Sequence, residues 1–189
     1  MAEFTGRLVL RPSFTEEDVD EMAWDLNWDL VHHKKPEGDS EVDIWLTKNK
    51  EVEIHLIDDR LVGLRYFTLR GDKGEEVASQ IAEECELWVK TDALAEIRAA
   101  SGKRDKLMAA YAAVLAAGGQ DEDVVDALRS VMRDSDPGIR QSVIVAAAYV
   151  QWPGLLELVQ EMSQHEAVDT VRENARILLE GIRDGGGNS

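Results

Sequence analysis

The chain has 189 residues, 44% of them hydrophobic, and its 38 acidic against 21 basic side chains leave a formal charge of −17 at pH 7. That length and apolar content suit one fair-sized domain or two small ones and exclude a wholly disordered chain. The charge excludes nucleic acid and anionic membrane surfaces as expected partners, because both repel an acidic protein.

In chain order, "RLVL" reads as a short strand and residues 15–31 as a helix. Ser13 with Glu16 fits a capping box. Glu16, Glu17 and Asp18 suit the positive helix end, and His32, His33, Lys34 and Lys35 the negative one. On a helical wheel Val19, Met22, Ala23, Leu26 and Leu30 form one stripe, expected to face a sheet. Trp24, Trp28 and Val31 fall on the far side as a second apolar patch, outside the sheet-facing core. "VDIWLT", "VEIHLID" and "LVGLRYFTL" alternate apolar and polar residues and are separated by short polar turns, as in an antiparallel meander. After the turn "GDKG", Val77, Ile81, Cys85 and Trp88 recur at helical spacing and predict an amphipathic helix over 75–89. Residues 1–90 are therefore expected to form an α+β module of order β-α-β-β-β-α.

From residue 91 the strand signal ends. Helices are predicted over 92–100, 104–117, 123–133, 139–150, 154–163 and 171–182, with breaks at "SG", "GGQD", "DSDPG" and "QWPG". Residues 184–189, "DGGGNS", read as a disordered tail. A shift of 31 residues places Val124, Val125, Leu128 and Val131 on Leu155, Leu156, Val159 and Met162, and a shift of 32 places "IRQSV" on "VRENA". Arg140 then falls on Arg172, and a further shift of 36 brings it onto Arg104, so one arginine is expected to open the second helix of each of three helix pairs. Periods of this size signal a helical solenoid.

The segment "ALRSVMRDSDPGIRQSVIVAAAYV" resembles a HEAT-like repeat, in which an Asp-x-Asp-Pro-x-Val-Arg turn joins two apolar helices; Asp134, Asp136, Pro137, Ile139 and Arg140 carry the match. The third pair keeps Val171 and Arg172 but has "EAVDT" in place of the Asp-Pro turn, and the first has only "SGKR". The resemblance implies a stack of about three helix pairs over residues 91–183. Its turn residues have a structural role in physical terms. Proline costs no hydrogen bond at a helix start, aspartate caps exposed amides, and arginine binds neighbouring aspartates. Asp134, Asp136, Pro137, Arg104, Arg140 and Arg172 are thus expected to form a structural ladder. Members of such families mostly act as scaffolds and adaptors; a few are enzymes, including pigment lyases and a DNA glycosylase type.

The catalytic signals are thin. Cys85 is the single cysteine and lies in register with apolar residues, which makes it a small buried hydrophobe and precludes an internal disulfide. His32 and His33 diverge by about 100 degrees on a helix, poor geometry for a shared metal. His55 lies in a strand and His165 in a loop. Phosphate-binding glycine loops, dinucleotide turns and nucleophile elbows are absent from the sequence. No catalytic residue, cofactor or metal is therefore expected. The opening "MAEFTGRLVL" lacks the length and flanks of a secretory signal, and no segment approaches a membrane span, so a cytoplasmic protein without membrane attachment is expected.

Helix 139–150 shows the same excess of apolar surface as the first helix: Ile139, Val143, Ala146 and Val150 make one face, and Ile144, Val145 and Ala148 occupy the remainder. Trp24, Trp28, Val31, Ile144, Val145 and Ala148 are therefore the candidate partner or interdomain surface. Two covers stand open for it, a seam between the two regions or another protein. The expected function is a non-catalytic protein-interaction or adaptor module whose partner is basic or carries an apolar patch. The alternatives are an acidic inhibitor or immunity protein that neutralises a basic toxin or nuclease, and an enzyme with a cleft between the two regions. The sequence assigns no oligomeric state.

Overall fold

The computed structural model describes residues 4–34 and 40–185. The chain divides into two compact units, Met1–Val89 and Lys90–Ser189.

In the first unit β1 (Leu8–Val9) leads to α1 (Glu16–Asp25), then to β2 (Asp29–Lys34), β3 (Ser40–Leu46), β4 (Glu53–Asp59) and β5 (Leu64–Arg70), and finally to α2 (Gly74–Glu84). The strands form a five-stranded antiparallel sheet in the order β1-β5-β4-β3-β2. The antiparallel meander expected from the alternating segments is therefore present, extended by one strand that the helical reading of 15–31 had absorbed. Val19, Met22 and Ala23 of α1 and Val77, Ala78 and Ile81 of α2 join Trp45, Ile54, Leu56, Phe67 and Leu69 of the sheet in one apolar core. Cys85, buried beside Met22 with the sulfurs 3.3 Å apart, belongs to it as the sequence implied.

The end of α1 accounts for the extra strand. Asn27 sits in the left-handed region at φ 55°, its N–H donates to the Trp24 carbonyl at 3.0 Å, and the Trp28 N–H donates to the Ala23 carbonyl at 2.8 Å. These crossed bonds are a Schellman closure with asparagine as its left-handed residue. The chain turns there, so residues beyond Asn27 no longer follow the helical wheel. Trp28 is 8% exposed and packs in the sheet-facing core, contrary to its expected place beside Trp24. Leu30 and Val31 lie in edge strand β2 and are exposed, so Leu30 is not part of the inward stripe. His32 and His33 are strand residues as well. His33 meets Asp43 across the β2–β3 pair at 2.5 Å instead of compensating a helix end.

The start of α1 also differs in detail. Thr15, not Ser13, is the cap: its hydroxyl accepts the Asp18 N–H, and Asp18 accepts the Thr15 N–H at 2.6 Å. Ser13 instead donates to Glu86 at 2.9 Å.

The second unit contains α3 (Lys90–Ala99), α4 (Lys103–Ala116), α5 (Glu122–Val131), α6 (Pro137–Val150), α7 (Pro153–His165) and α8 (Asp169–Gly185). Each overlaps one predicted helix. The odd-numbered helices pack in one row and the even-numbered in another, as expected of stacked helix pairs. α8 runs through Asp184 and Gly185, so the expected tail is helical there; residues 186–189 lie outside those described. Sequence periodicity places Val124, Val125, Leu128 and Val131 of α5, and Leu155, Val159 and Met162 of α7, and all seven are buried. Leu156, the partner of Val125 in that repeat, is only half-buried.

Candidate functional site

The helix starts of the second unit are tied together by a ladder of charged side chains. Asp136 caps α6, accepting the Gly138 and Ile139 amides at 2.7 and 3.3 Å, and Pro137 occupies the first turn, where no donor is needed. Arg140 donates to both carboxylate oxygens of Glu166, at 2.8 and 2.6 Å, and its third contact reaches the Asp134 carbonyl at 2.8 Å. One turn of the stack later, Arg172 donates to the Glu166 carbonyl at 2.6 Å and to Asp169 at 2.5 Å. Arg140 and Arg172 thus hold equivalent places, as their shift of 32 residues implied.

Arg104 does not. It is exposed and makes no hydrogen bond or ion pair among the described residues. Its expected place is taken by Lys106, which donates to Asp134 at 2.5 Å, while Lys103 donates to Asp136 at 2.8 Å. The register of the first pair is 34 residues from the second, not 36, because Lys106 serves Asp134 as Arg140 serves Glu166. Lys90 continues the ladder to Asp121 and Asp123, at 2.7 and 3.3 Å. Glu166 was the member least visible in the sequence. The shift of 32 that aligns the arginines also places it on Asp134, and that signal could have found it.

Each carboxylate of the ladder is held below its ordinary pKa chiefly by its cation: Asp121 by Lys90, Asp134 by Lys106, Asp136 by Lys103 and Glu166 by Arg140. The Arg140–Glu166 pair is the most enclosed, with side chains 12% and 5% exposed. It lies in the wall of a cavity of about 380 Å³ between the α5–α6 and α7–α8 turns, where Met132, Met162 and His165 also contribute. His165 ends α7 and is not a loop residue. In this wall the guanidinium and the carboxylate are bonded to each other. Among the described residues no group of three or more His, Cys, Asp or Glu could hold a metal ion, and no helix is long and apolar enough to cross a membrane.

The candidate surface residues separate. Trp24 is 83% exposed on the outer side of α1, and Val31 is exposed in β2. In α6 Ala148 is exposed and Val145 half-buried, whereas Ile144 is buried. Its burial follows from α6 being the middle helix of its row, packed on α4 and α8 as well as on α5 and α7. Trp28, packed in the first unit's core, therefore leaves the candidate surface. In the first unit Trp24 and Val31 remain exposed, and Trp24 is ringed by Asp20, Glu21 and Asp25 around a shallow concavity of about 450 Å³. α1 carries no basic residue in its last turn, and the three carboxylates form no ion pair among the described residues.

Comparison with curated proteins and with solved structures gave no match. Residues 97–180 match the family model described as HEAT repeats, a family that generally mediates protein–protein interaction and is typically non-enzymatic. With its paired rows of helices and its turn ladder, this stretch of the chain is a HEAT-like helical repeat region.

Proposed function

We propose that the protein is a non-catalytic protein-interaction or adaptor module. The observation that carries this reading is the HEAT-like repeat region over residues 97–180, an architecture whose members generally bind other proteins. It is supported by a site chemistry in which the enclosed charged groups, Arg140 and Glu166, are bonded to each other rather than poised for reaction. The single cysteine, buried in the first unit's core, is consistent with a reducing, cytoplasmic compartment.

The test is reconstitution. The full chain is used as bait under native conditions, each candidate is purified separately, and complex formation is measured by sedimentation velocity. A defined stoichiometric complex with a protein is expected. Failure of every purified candidate to bind, together with turnover of a small molecule by the chain alone, would overturn the reading. A second reading, an acidic inhibitor of a basic protein such as a nuclease, is favoured by the charge of −17, since complementary charge speeds association and aids selectivity. It requires that the partner be basic, that it lose activity in the complex, and that association slow steeply as salt is added.

A further inference from the structure

We propose that Trp24, with Asp20, Glu21 and Asp25, forms a seat for an arginine or lysine side chain presented by a basic segment of a partner protein; the proposal rests on the interaction reading and adds the partner's chemistry and its point of contact. Trp24 is the most exposed large hydrophobic residue described, at 83%, while Trp28, Trp45, Trp88 and Trp152 are all buried. Its exposure is not a consequence of fraying. α1 is fixed at one end by the Thr15–Asp18 capping box and at the other by the Asn27 closure, and Val19, Met22 and Ala23 anchor its inner face. The indole is therefore held outward on a rigid helix.

Its surroundings select the ligand. Asp20 and Glu21 lie one turn before Trp24, and Asp25 follows it, so carboxylates flank the ring on several sides of a concavity of about 450 Å³. The pattern contrasts with the acidic residues of the ladder, each of which has its own lysine or arginine. A cation is attracted both by the face of an indole and by nearby carboxylates, and the two attractions act together on a side chain that lies over the ring with its charged end among the acids. Within this same chain the Arg11 guanidinium packs 3.7 Å from the centre of the Trp88 ring, which is the geometry required. An acidic or purely apolar segment would leave the three carboxylates facing like charge or desolvated without partners. A basic segment satisfies both parts of the surface, and the chain's charge of −17 draws it in.

The experiment uses the full chain and a fluorescently labelled probe of five arginines alternating with five glycines, followed by anisotropy, with a citrulline version as the uncharged control. The parent is expected to bind the arginine probe and not the citrulline probe. Trp24→Ala should weaken binding about tenfold, and the triple variant Asp20→Asn, Glu21→Gln, Asp25→Asn by at least as much. A control triple, Glu157→Gln, Glu180→Gln, Asp184→Asn, removes the same number of exposed charges elsewhere and should stay within about twofold of the parent. Because Trp24 is largely exposed and is not among the residues of the first unit's core, its variant should melt with the parent, so a loss of binding reads the seat and not the fold. The proposal is overturned if the parent fails to bind the probe, if Trp24→Ala binds like the parent, or if the remote triple weakens binding as much as the local one. A reconstituted protein complex indifferent to Trp24→Ala would leave the adaptor reading standing and remove this seat from it.

Discussion

Arg140 and Glu166 make the repeat region sensitive to acid, and the sign follows from which state holds the proton. Glu166 is held below its ordinary value of 4.5, first by the Arg140 hydrogen bond, so the folded chain binds its proton less readily than the unfolded one. Its stabilising effect is therefore complete above about pH 4.5 and is lost as the pH falls through the depressed folded value. Glu166→Gln leaves a nearly buried guanidinium without its counter-charge, and the expected cost at pH 7 is about 3 kcal/mol. In denaturant titrations that difference from the parent should shrink as the pH falls through the depressed folded value and the parent's carboxylate takes up its proton; a difference of constant size would mean that packing, not charge, is lost. Cys85 gives a second test at this scale. Burial, with Glu84 and Asp18 adding to it, pushes the thiol up to about 12 from 9.0. Alkylation at pH 8 should thus run about a thousandfold slower in the native chain than in urea, since only the thiolate reacts. Trp24 and Trp28 should also part company. Trp28→Ala is expected to cost about 3 kcal/mol as a deleted core aromatic, whereas Trp24→Ala should fall within about 0.5 kcal/mol of the parent in thermal melts.

The element with the sharpest consequence is the turn between α1 and β2. Asn27 holds a left-handed backbone, a conformation that costs other L-residues about 1–2 kcal/mol and glycine almost nothing. Asn27→Ala should lower unfolding free energy by about 1 kcal/mol and Asn27→Gly should leave it equal or higher, as read by urea midpoints at unchanged slope. A loss of similar size in both variants would mean that the asparagine side chain, not its backbone, closes the helix. The same turn explains why the first unit was harder to read than the second. Trp24, Trp28 and Val31 keep helical spacing straight across Asn27, and periodicity cannot register a single left-handed residue that redirects the chain. Asparagine just past the last inward-facing residue was the available sign. The later strands were legible because Val52, Ile54 and Leu56, and Leu64, Tyr66 and Phe67, alternate or cluster between polar turns. Every helix of the repeat region was legible because proline, glycine and aspartate punctuate an unbroken helical period. The first ladder rung was not, because aligning on an arginine overlooked Lys106, which supplies the same charge two positions later.

At the scale of the whole chain, the repeat region is a quasi-linear stack in which each helix gains its stability from its neighbours. α6 lies between α4 and α8 in its row and buries Ile139, Ser142, Val143, Ile144, Ala146 and Ala147. α8 ends that row. It buries only Val171 and Ala175 over its 17 residues, and leaves Ile177 largely exposed. Local opening follows the density of buried apolar contacts, so the stack should open from α8 inward before it unfolds as a whole. In hydrogen exchange followed by mass spectrometry, peptides of α8 should exchange first and those of α6 last, with protection differing by at least about tenfold. The ladder adds a way to check the cause. Arg172 ties the start of α8 to the Glu166 carbonyl and to Asp169, so Arg172→Ala should accelerate exchange in α8 while leaving α6 close to the parent. Equal protection of the two helices, or equal acceleration in both on Arg172→Ala, would mean instead that the three helix pairs open as one cooperative body.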